Sequence, residues 1–269
     1  MNPSTVPSEL VSRLRDARAV AVITGAGMSA ESGVPTFRDA SAGLWAKLNP
    51  QDIASPEGWA RDKSLVWAWY EWRRGLVSQA LPNAGHYAIA RLSASLQQLS
   101  GHATPVTVIT QNVDDLHERG GLTGALHVHG SLFAPRCAAC DEATVFTQPP
   151  PTEPVERITP PSCTRCGGFI RPGVVWFGEN LDFRLMGQAV NTVRLSDVLL
   201  VVGTSGVVRP VSDLPTLARE SGAWVCEINP IASAISPVAH LCWRASAALA
   251  LPALLQSLSE AKGGPQSGP

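Results

Sequence analysis

Apolar residues fall along this chain in two rhythms. Residues 19–24, 106–110, 197–202 and 224–228 are short runs with almost no polar interruption. Apolar on both faces, such runs predict strands in the middle of a parallel sheet that helices cover above and below. Between them the spacing becomes helical. Residues 8–18 read as an entry helix, Leu65, Trp69, Trp72 and Leu76 form a stripe expected to face a core, and Ile89, Leu92, Leu96 and Leu99 line one side of a further helix. Ser55-Pro56-Glu57 and Pro82-Asn83-Ala84 carry start signals for two of these helices. The strands each end in a small or polar cluster, which predicts a doubly wound α/β fold with ligands gathered at the carboxyl ends of the strands.

The first such cluster is Gly25-Ala26-Gly27-Met28-Ser29-Ala30-Glu31-Ser32-Gly33-Val34-Pro35-Thr36-Phe37-Arg38. Gly25 and Gly27 permit a tight turn with bare backbone amides, and a helix following it would present its N-terminus to a pyrophosphate. A GxG alone also serves turns that hold nothing. Less ordinary are Phe37 and Arg38, which add an aromatic and a fixed cation just beyond the loop; the alternative is a packed Phe and a surface Arg. The other strand ends carry Gln111-Asn112-Val113-Asp114, Gly203-Thr204-Ser205-Gly206 and Asn229-Pro230.

Composition narrows the partners. At 269 residues and 45% hydrophobic, the chain can bury one large core and a smaller module. A net charge of −1 gives no electrostatic footprint for nucleic acid or an anionic membrane, so small molecules or peptides are expected instead. The start lacks a basic region followed by an apolar segment, and no stretch approaches about 18 uninterrupted apolar residues. The chain reads as soluble and cytoplasmic, with a flexible tail at 263–269.

Four of the six cysteines form two CxxC pairs, Cys137 with Cys140 and Cys163 with Cys166. Each turn can aim two thiolates at one point, and together they supply the four sulfurs of a closed tetrahedral zinc site. Such a Zn2+ is structural, because four thiolates leave no position for water or substrate. The intervening prolines predict an irregular rather than helical module. Cys226 and Cys242 read as buried core thiols.

With these pieces placed, the sequence resembles the sirtuins. GAGMSAESGVPTFR, TQNVDDLH, HVHGSLF, the paired CxxC, RPGVVWFGE, VVGTS and EINP occur in that family's order between Gly25 and Pro230. The resemblance implies a Rossmann-like NAD-binding domain (1–34, 80–130 and 172–262), a smaller domain with a helical part (35–79) and a zinc-ribbon part (131–171), and an acyl-lysine peptide held in the cleft between them. It implies that Gly25, Ala26, Gly27, Ser29 and the loop up to Leu44 surround the cofactor, with Phe37 and Arg38 near the nicotinamide ribose and phosphates. Gln111, Asn112 and Asp114 would serve the nicotinamide side; Gly203, Thr204, Ser205, Asn229 and, by best placement, Ala247 would serve the adenosine half, with Ala248 the other candidate. His129 matches the general base. His127 is the rival, but the HGSLF that follows fixes the match on His129, and an imidazole titrates near working pH as that task requires. Val175, Trp176, Phe177 and Gly178 resemble the segment that pairs with substrate peptide as an added strand, or else an ordinary exposed edge.

Tyr70 and Arg73 lie three residues apart and so share a helix face. A YxxR pair here resembles the sirtuins that remove succinyl and malonyl groups from lysine. Guanidinium can grip a distal carboxylate bidentately while a phenol donates a further bond, and acetyl offers neither contact. Stacking of Arg73 on nearby tryptophans is the plainer reading of the same spacing. Two other functions use these residues: ADP-ribose transfer to a protein, and a non-enzymatic zinc module that senses NAD. Hydride transfer fits less well, since neither the paired CxxC nor this glycine loop serves it specifically.

Overall fold

A computed structural model of the protein describes residues 5–35, 49, 53–151 and 153–261. The expectations for Phe37, Arg38, the loop at 36–44 and the tail at 263–269 lie outside the described residues.

Among these residues the strands are β1 (Val20–Thr24), β2 (Val106–Thr110), β3 (Leu126–His127), β4 (Gly130–Cys137), β5 (Ile170–Val174), β6 (Val198–Val202), β7 (Trp224–Ile228) and β8 (Leu241–Trp243). The helices are α1 (Ser8–Asp16), α2 (Pro56–Arg61), α3 (Lys63–Gln79), α4 (Ala84–Ser100), α5 (Leu116–Arg119), α6 (Phe183–Leu195), α7 (Leu214–Glu220) and α8 (Ala247–Ala261). Six strands form one parallel sheet in the order β3-β2-β1-β6-β7-β8, while β4 and β5 pair antiparallel in a second. The sequence anticipates the four long central strands. The edges β3 and β8 are two and three residues long, too short to show as apolar runs. The order turns back between β1 and β6, and at such a switch point the loops diverge to leave a crevice at the carboxyl ends of the strands.

Both faces of the sheet are covered. On one, Leu10, Leu14, Leu92, Leu96 and Leu254 from α1, α4 and α8 pack on Val22 and Leu200. On the other, Val193 and Leu214 from α6 and α7 meet Ile23, Ile109, Leu199 and Val201. This two-sided burial is why the strands read as continuous apolar runs.

A third cluster joins α2 and α3 to the small sheet through Trp59, Trp67, Trp69, Leu132, Ile170 and Trp176, and includes Cys137 and Cys163. Ser55 caps α2 by accepting from Gly58 N at 3.0 Å, and Asp62 caps α3 by accepting from Leu65 N at 2.9 Å. The expected stripe on α3 is too narrow. Trp69 is buried, but Leu65, Trp72 and Leu76 are only partly so, and Val66, Trp67, Tyr70, Arg73, Arg74 and Val77 lie deeper. The helix is wrapped on nearly every side, partly by the proline-rich segment: Arg74 stacks 3.7 Å from the Phe146 ring centroid and donates to the Gln148 carbonyl at 3.1 Å. Cys226 is buried as expected, whereas Cys242 sits half-buried on the short strand β8.

Candidate functional site

The turns after β1 and β6 meet backbone to backbone at the sheet's carboxyl edge. Gly27 N donates to the Gly203 carbonyl at 2.7 Å, and a Cβ on Gly27 would lie 2.8 Å from Gly203 Cα. A Cβ on Gly203, whose φ is +60°, would lie 2.5 Å from Met28 N. These glycines therefore serve first to dock two loops against each other. The α-helix expected after Gly27 is replaced by 3-10 turns at Ala26–Met28 and Ala30–Ser32, ended by Gly33 in the left-handed region at φ +79°. An anion here would meet loop amides rather than a helix N-terminus.

Beneath the loop lies a buried polar relay. Ser29 Oγ donates to Asp114 Oδ2 at 2.9 Å and accepts from Asn112 Nδ2 at 3.0 Å. It also lies 3.4 Å from His86 Nε2. Asn83 N donates to His86 Nδ1 at 3.2 Å, which leaves the ring proton on Nε2, facing Ser29. Asn83 Nδ2 in turn ties down the Met28 carbonyl at 2.8 Å and Ser32 Oγ at 3.0 Å. Burial raises the pKa of Asp114, and the Leu116 amide and Ser29 hydroxyl only partly oppose it. Burial also pushes His86 down to about 3 and His117 to about 4, so both rings are neutral supports. Sequence reasoning missed His86, His117 and Asn83. Their one visible signal is Asn83 with His86 at N-cap and N3 of α4, a capping-box spacing.

His127 and His129 are told apart by what their nitrogens touch. His127 Nδ1 donates to the Asn112 carbonyl at 3.1 Å and Nε2 to Glu118 Oε1 at 2.9 Å. Both neighbours are oxygens, so both ring nitrogens are engaged and the doubly protonated form is favoured. Burial opposes that charge, but Glu118 and the Asn112 carbonyl outweigh it and raise the pKa. His129 Nδ1 donates to the Gln111 carbonyl at 3.1 Å, which puts the lone pair of the neutral ring on Nε2. Burial lowers the His129 pKa, with the Gln111 carbonyl opposing. Half-buried and oriented, His129 keeps an Nε2 lone pair suited to a base, whereas both nitrogens of His127 are engaged.

On the far side of the switch point, Thr204 Oγ1 donates to Gln111 Oε1 at 3.1 Å and Asn229 Nδ2 to the Thr204 carbonyl at 2.9 Å, linking three strand ends. Ser205 is exposed beside them. Ala247 is buried at the start of α8, its carbonyl 2.9 Å from where a Cβ on Gly85 would sit; Ala248 is less buried and gives its amide to Glu31 Oε2 at 3.1 Å.

Tyr70 and Arg73 are both buried on α3. The Arg73 guanidinium lies 5.0 Å from the Trp69 ring centroid, so the expected stacking is present. Yet among the described residues its buried Nη1 has no hydrogen-bond partner. Burial lowers the Arg73 pKa, with Tyr70 and Asp114 close enough to oppose the shift. The tyrosine hydroxyl accepts from Trp176 Nε1 at 3.1 Å. Residues 175–178 form a turn after β5 rather than an exposed strand. Val175 N donates to the His129 carbonyl and Phe177 N to the Ala54 carbonyl, each at 2.9 Å, while Trp176 N donates to Glu179 Oε2 at 2.8 Å. Three amides of the segment are thus engaged internally, and any pairing with a peptide falls to its remaining backbone groups.

The sulfurs of Cys137, Cys140, Cys163 and Cys166 all lie within 4.8 Å of one another, with Cys137–Cys166 at 3.5 Å and Cys140–Cys163 at 3.9 Å. Tetrahedral Zn–S bonds of about 2.3 Å require sulfurs about 3.8 Å apart, so the set fits one Zn2+. The amides of Ala139, Arg165 and Gly168 point at Cys137, Cys163 and Cys166 Sγ, each at 3.4 Å, and would stabilise thiolates.

Comparisons with known proteins bear on this arrangement. The Sir2 family model matches residues 25–210. An NAD-dependent protein deacylase of Corynebacterium glutamicum is 46% identical over 245 residues, covering 91% of this chain and 93% of that protein. Among solved structures, a Sir2 homolog in complex with NAD superposes with a TM-score of 0.85 at 38% identity and 96% coverage of both chains. A Sir2 protein bound to acetylated peptide superposes at 0.78 with 25% identity, covering 93% of this chain and 97% of that one.

Proposed function

This chain belongs to the Sir2 family and is an NAD-dependent protein deacylase, and from that premise we propose that it removes succinyl and malonyl groups, with acetyl as a neutral companion substrate, from lysine side chains. The observation that carries the acidic-acyl reading is the unused Nη1 of Arg73, a buried donor on the helix face that also holds Tyr70. A desolvated guanidinium with spare N–H is costly unless a ligand answers it. A distal carboxylate does so with charge and geometry together, while an acetyl methyl does not.

NAD supplies an anomeric carbon that parts with nicotinamide and ribose hydroxyls that receive the acyl group. The chain's share is orientation and proton handling. In this reading His129 Nε2 takes the proton of a ribose hydroxyl, its tautomer fixed by the Gln111 carbonyl and its basic form kept at neutral pH by burial. Gly25, Ala26, Gly27 and Ser29 would surround the cofactor; Gln111, Asn112 and Asp114 would serve its nicotinamide side, Gly203, Thr204, Ser205, Asn229 and Ala247 its adenosine half, and Val175, Trp176, Phe177 and Gly178 would border the acyl-lysine peptide. The acetylated peptide held by a solved relative supports a peptide substrate here. Cys137, Cys140, Cys163 and Cys166 would hold one Zn2+, which would tie β4 to the segment before β5. The described residues hold no helix long and apolar enough to cross a membrane. We place the protein in the cytoplasm, where thiols remain reduced.

The test is mass spectrometry of matched acetyl-, malonyl- and succinyl-lysine peptides incubated with protein and NAD. Loss of the acidic acyl groups with release of nicotinamide and acyl-ADP-ribose, faster than loss of acetyl, is the expected result. Equal or faster loss of acetyl overturns the acidic-acyl reading, and ADP-ribose attached to protein without acyl transfer overturns the deacylase chemistry.

A further inference from the structure

A tyrosine hydroxyl has one proton to give and lone pairs with which to accept, so its role toward a ligand depends on who else holds it. Among the described residues the hydroxyl of Tyr70 has one hydrogen-bond partner, the indole Nε1 of Trp176 at 3.1 Å. Indole nitrogen can only donate. A lone pair of Tyr70 is therefore occupied, and its proton is left for another direction, on a face it shares with Arg73.

Trp176 is itself held firmly. The Arg171 guanidinium stacks over its ring at 3.4 Å from the centroid, and the Trp59 ring lies 5.6 Å away. Glu179 grips Arg171 through both carboxylate oxygens and accepts the Trp176 amide at 2.8 Å. Next to it, Val175 N donates to the main-chain carbonyl of His129 at 2.9 Å. One short segment thus fixes both the tryptophan and the main chain of the base.

We propose that Trp176 is a positioning residue for substrate choice, whose indole N–H commits the Tyr70 hydroxyl to donating and so biases the acyl pocket toward chains ending in a carboxylate. Space filling is the other work a buried tryptophan does, and that would serve acetyl and succinyl alike. The inference rests on the acidic-acyl reading of Arg73 and Tyr70, and concerns the N–H specifically.

Two variants separate the N–H from the bulk. Trp176→Phe removes the donor with some volume, and 3-benzothienylalanine at the same position replaces only the N–H, by sulfur. Each is assayed with succinyl and acetyl peptides of one sequence at saturating NAD, in wild-type and Tyr70→Phe backgrounds. Expected is a rise of roughly three- to tenfold in KM for the succinyl peptide with kcat within about twofold, and a clearly smaller rise for the acetyl peptide, while circular dichroism and Tm report that the protein is folded. In Tyr70→Phe the same replacements should add nothing to the succinyl KM. Equal effects on both peptides, or full additivity with Tyr70→Phe, overturn the proposal. Arg73→Met distinguishes the failures: if that change is selective for succinyl while the sulfur replacement is silent, only the role of Trp176 falls. If Arg73→Met is unselective, the acidic-acyl reading falls and takes this inference with it.

Discussion

Replacing Arg73 by methionine isolates the contact on which the proposed acidic-acyl choice depends. Arg73 is only 7% exposed, so solvent screens it little, and a carboxylate arriving at its free Nη1 would make a charge-assisted bond. Such bonds contribute about 1.5–3 kcal/mol, which converts to a loss of roughly ten- to one-hundredfold in kcat/KM for the succinyl peptide. Methionine keeps an unbranched stem to lie against Trp69 and leaves the neutral pocket intact. Deacetylation should therefore hold steady or rise. Stability should not fall either, because the charge removed is one that burial already disfavours, as the lowered pKa of Arg73 records. The assay is product formation by mass spectrometry from succinyl and acetyl peptides of identical sequence, with calorimetric Tm on the same preparations. Equal loss on both substrates, or a marked fall in Tm, would mean that Arg73 is a strut for Trp69 and would refute the reasoning.

Two further outcomes follow from the site. Burial holds the His129 pKa below its ordinary 6.5, and a base works only unprotonated. Deacylation kcat/KM should then fall as pH drops through that lowered value and be level above about pH 7; His127→Gln should leave this acid limb in place, and a limb that vanished with His127 would reassign the base. Stripping the metal from the Cys137, Cys140, Cys163 and Cys166 cluster with a strong chelator should release zinc, lower Tm and abolish cooperative melting of the small sheet. Melting that ignores the chelator would exclude a structural zinc.

The long central strands were legible because burial on both faces leaves no polar residue to blur them, as in β6. The CxxC pairs were legible because four sulfurs must converge at fixed spacing. What the sequence concealed lies in directions rather than identities. His127 and His129 alternate along one short stretch, and only the oxygen atoms around each ring decide which keeps a lone pair. The stripe on α3 misled because a helix clamped between the small sheet and the proline-rich segment buries more than one face. The expected helix after Gly27 failed because loop-to-loop hydrogen bonds and the left-handed Gly33 hold tighter turns. The sequence places Trp176 in a segment that resembles peptide lining, and its bond to Tyr70 appears only once two distant segments are brought together.

The clasp between Gly27 and Gly203 has a consequence for how the protein is made. A nascent polypeptide leaves the ribosome with its first glycine turn long before the matching turn after β6 exists. Through that interval the early turn has no scaffold to lean on, since its missing side chains are matched to main chain not yet synthesised. The proposed dinucleotide site at these turns is thus complete only when translation has passed the second glycine and the sheet has closed around it.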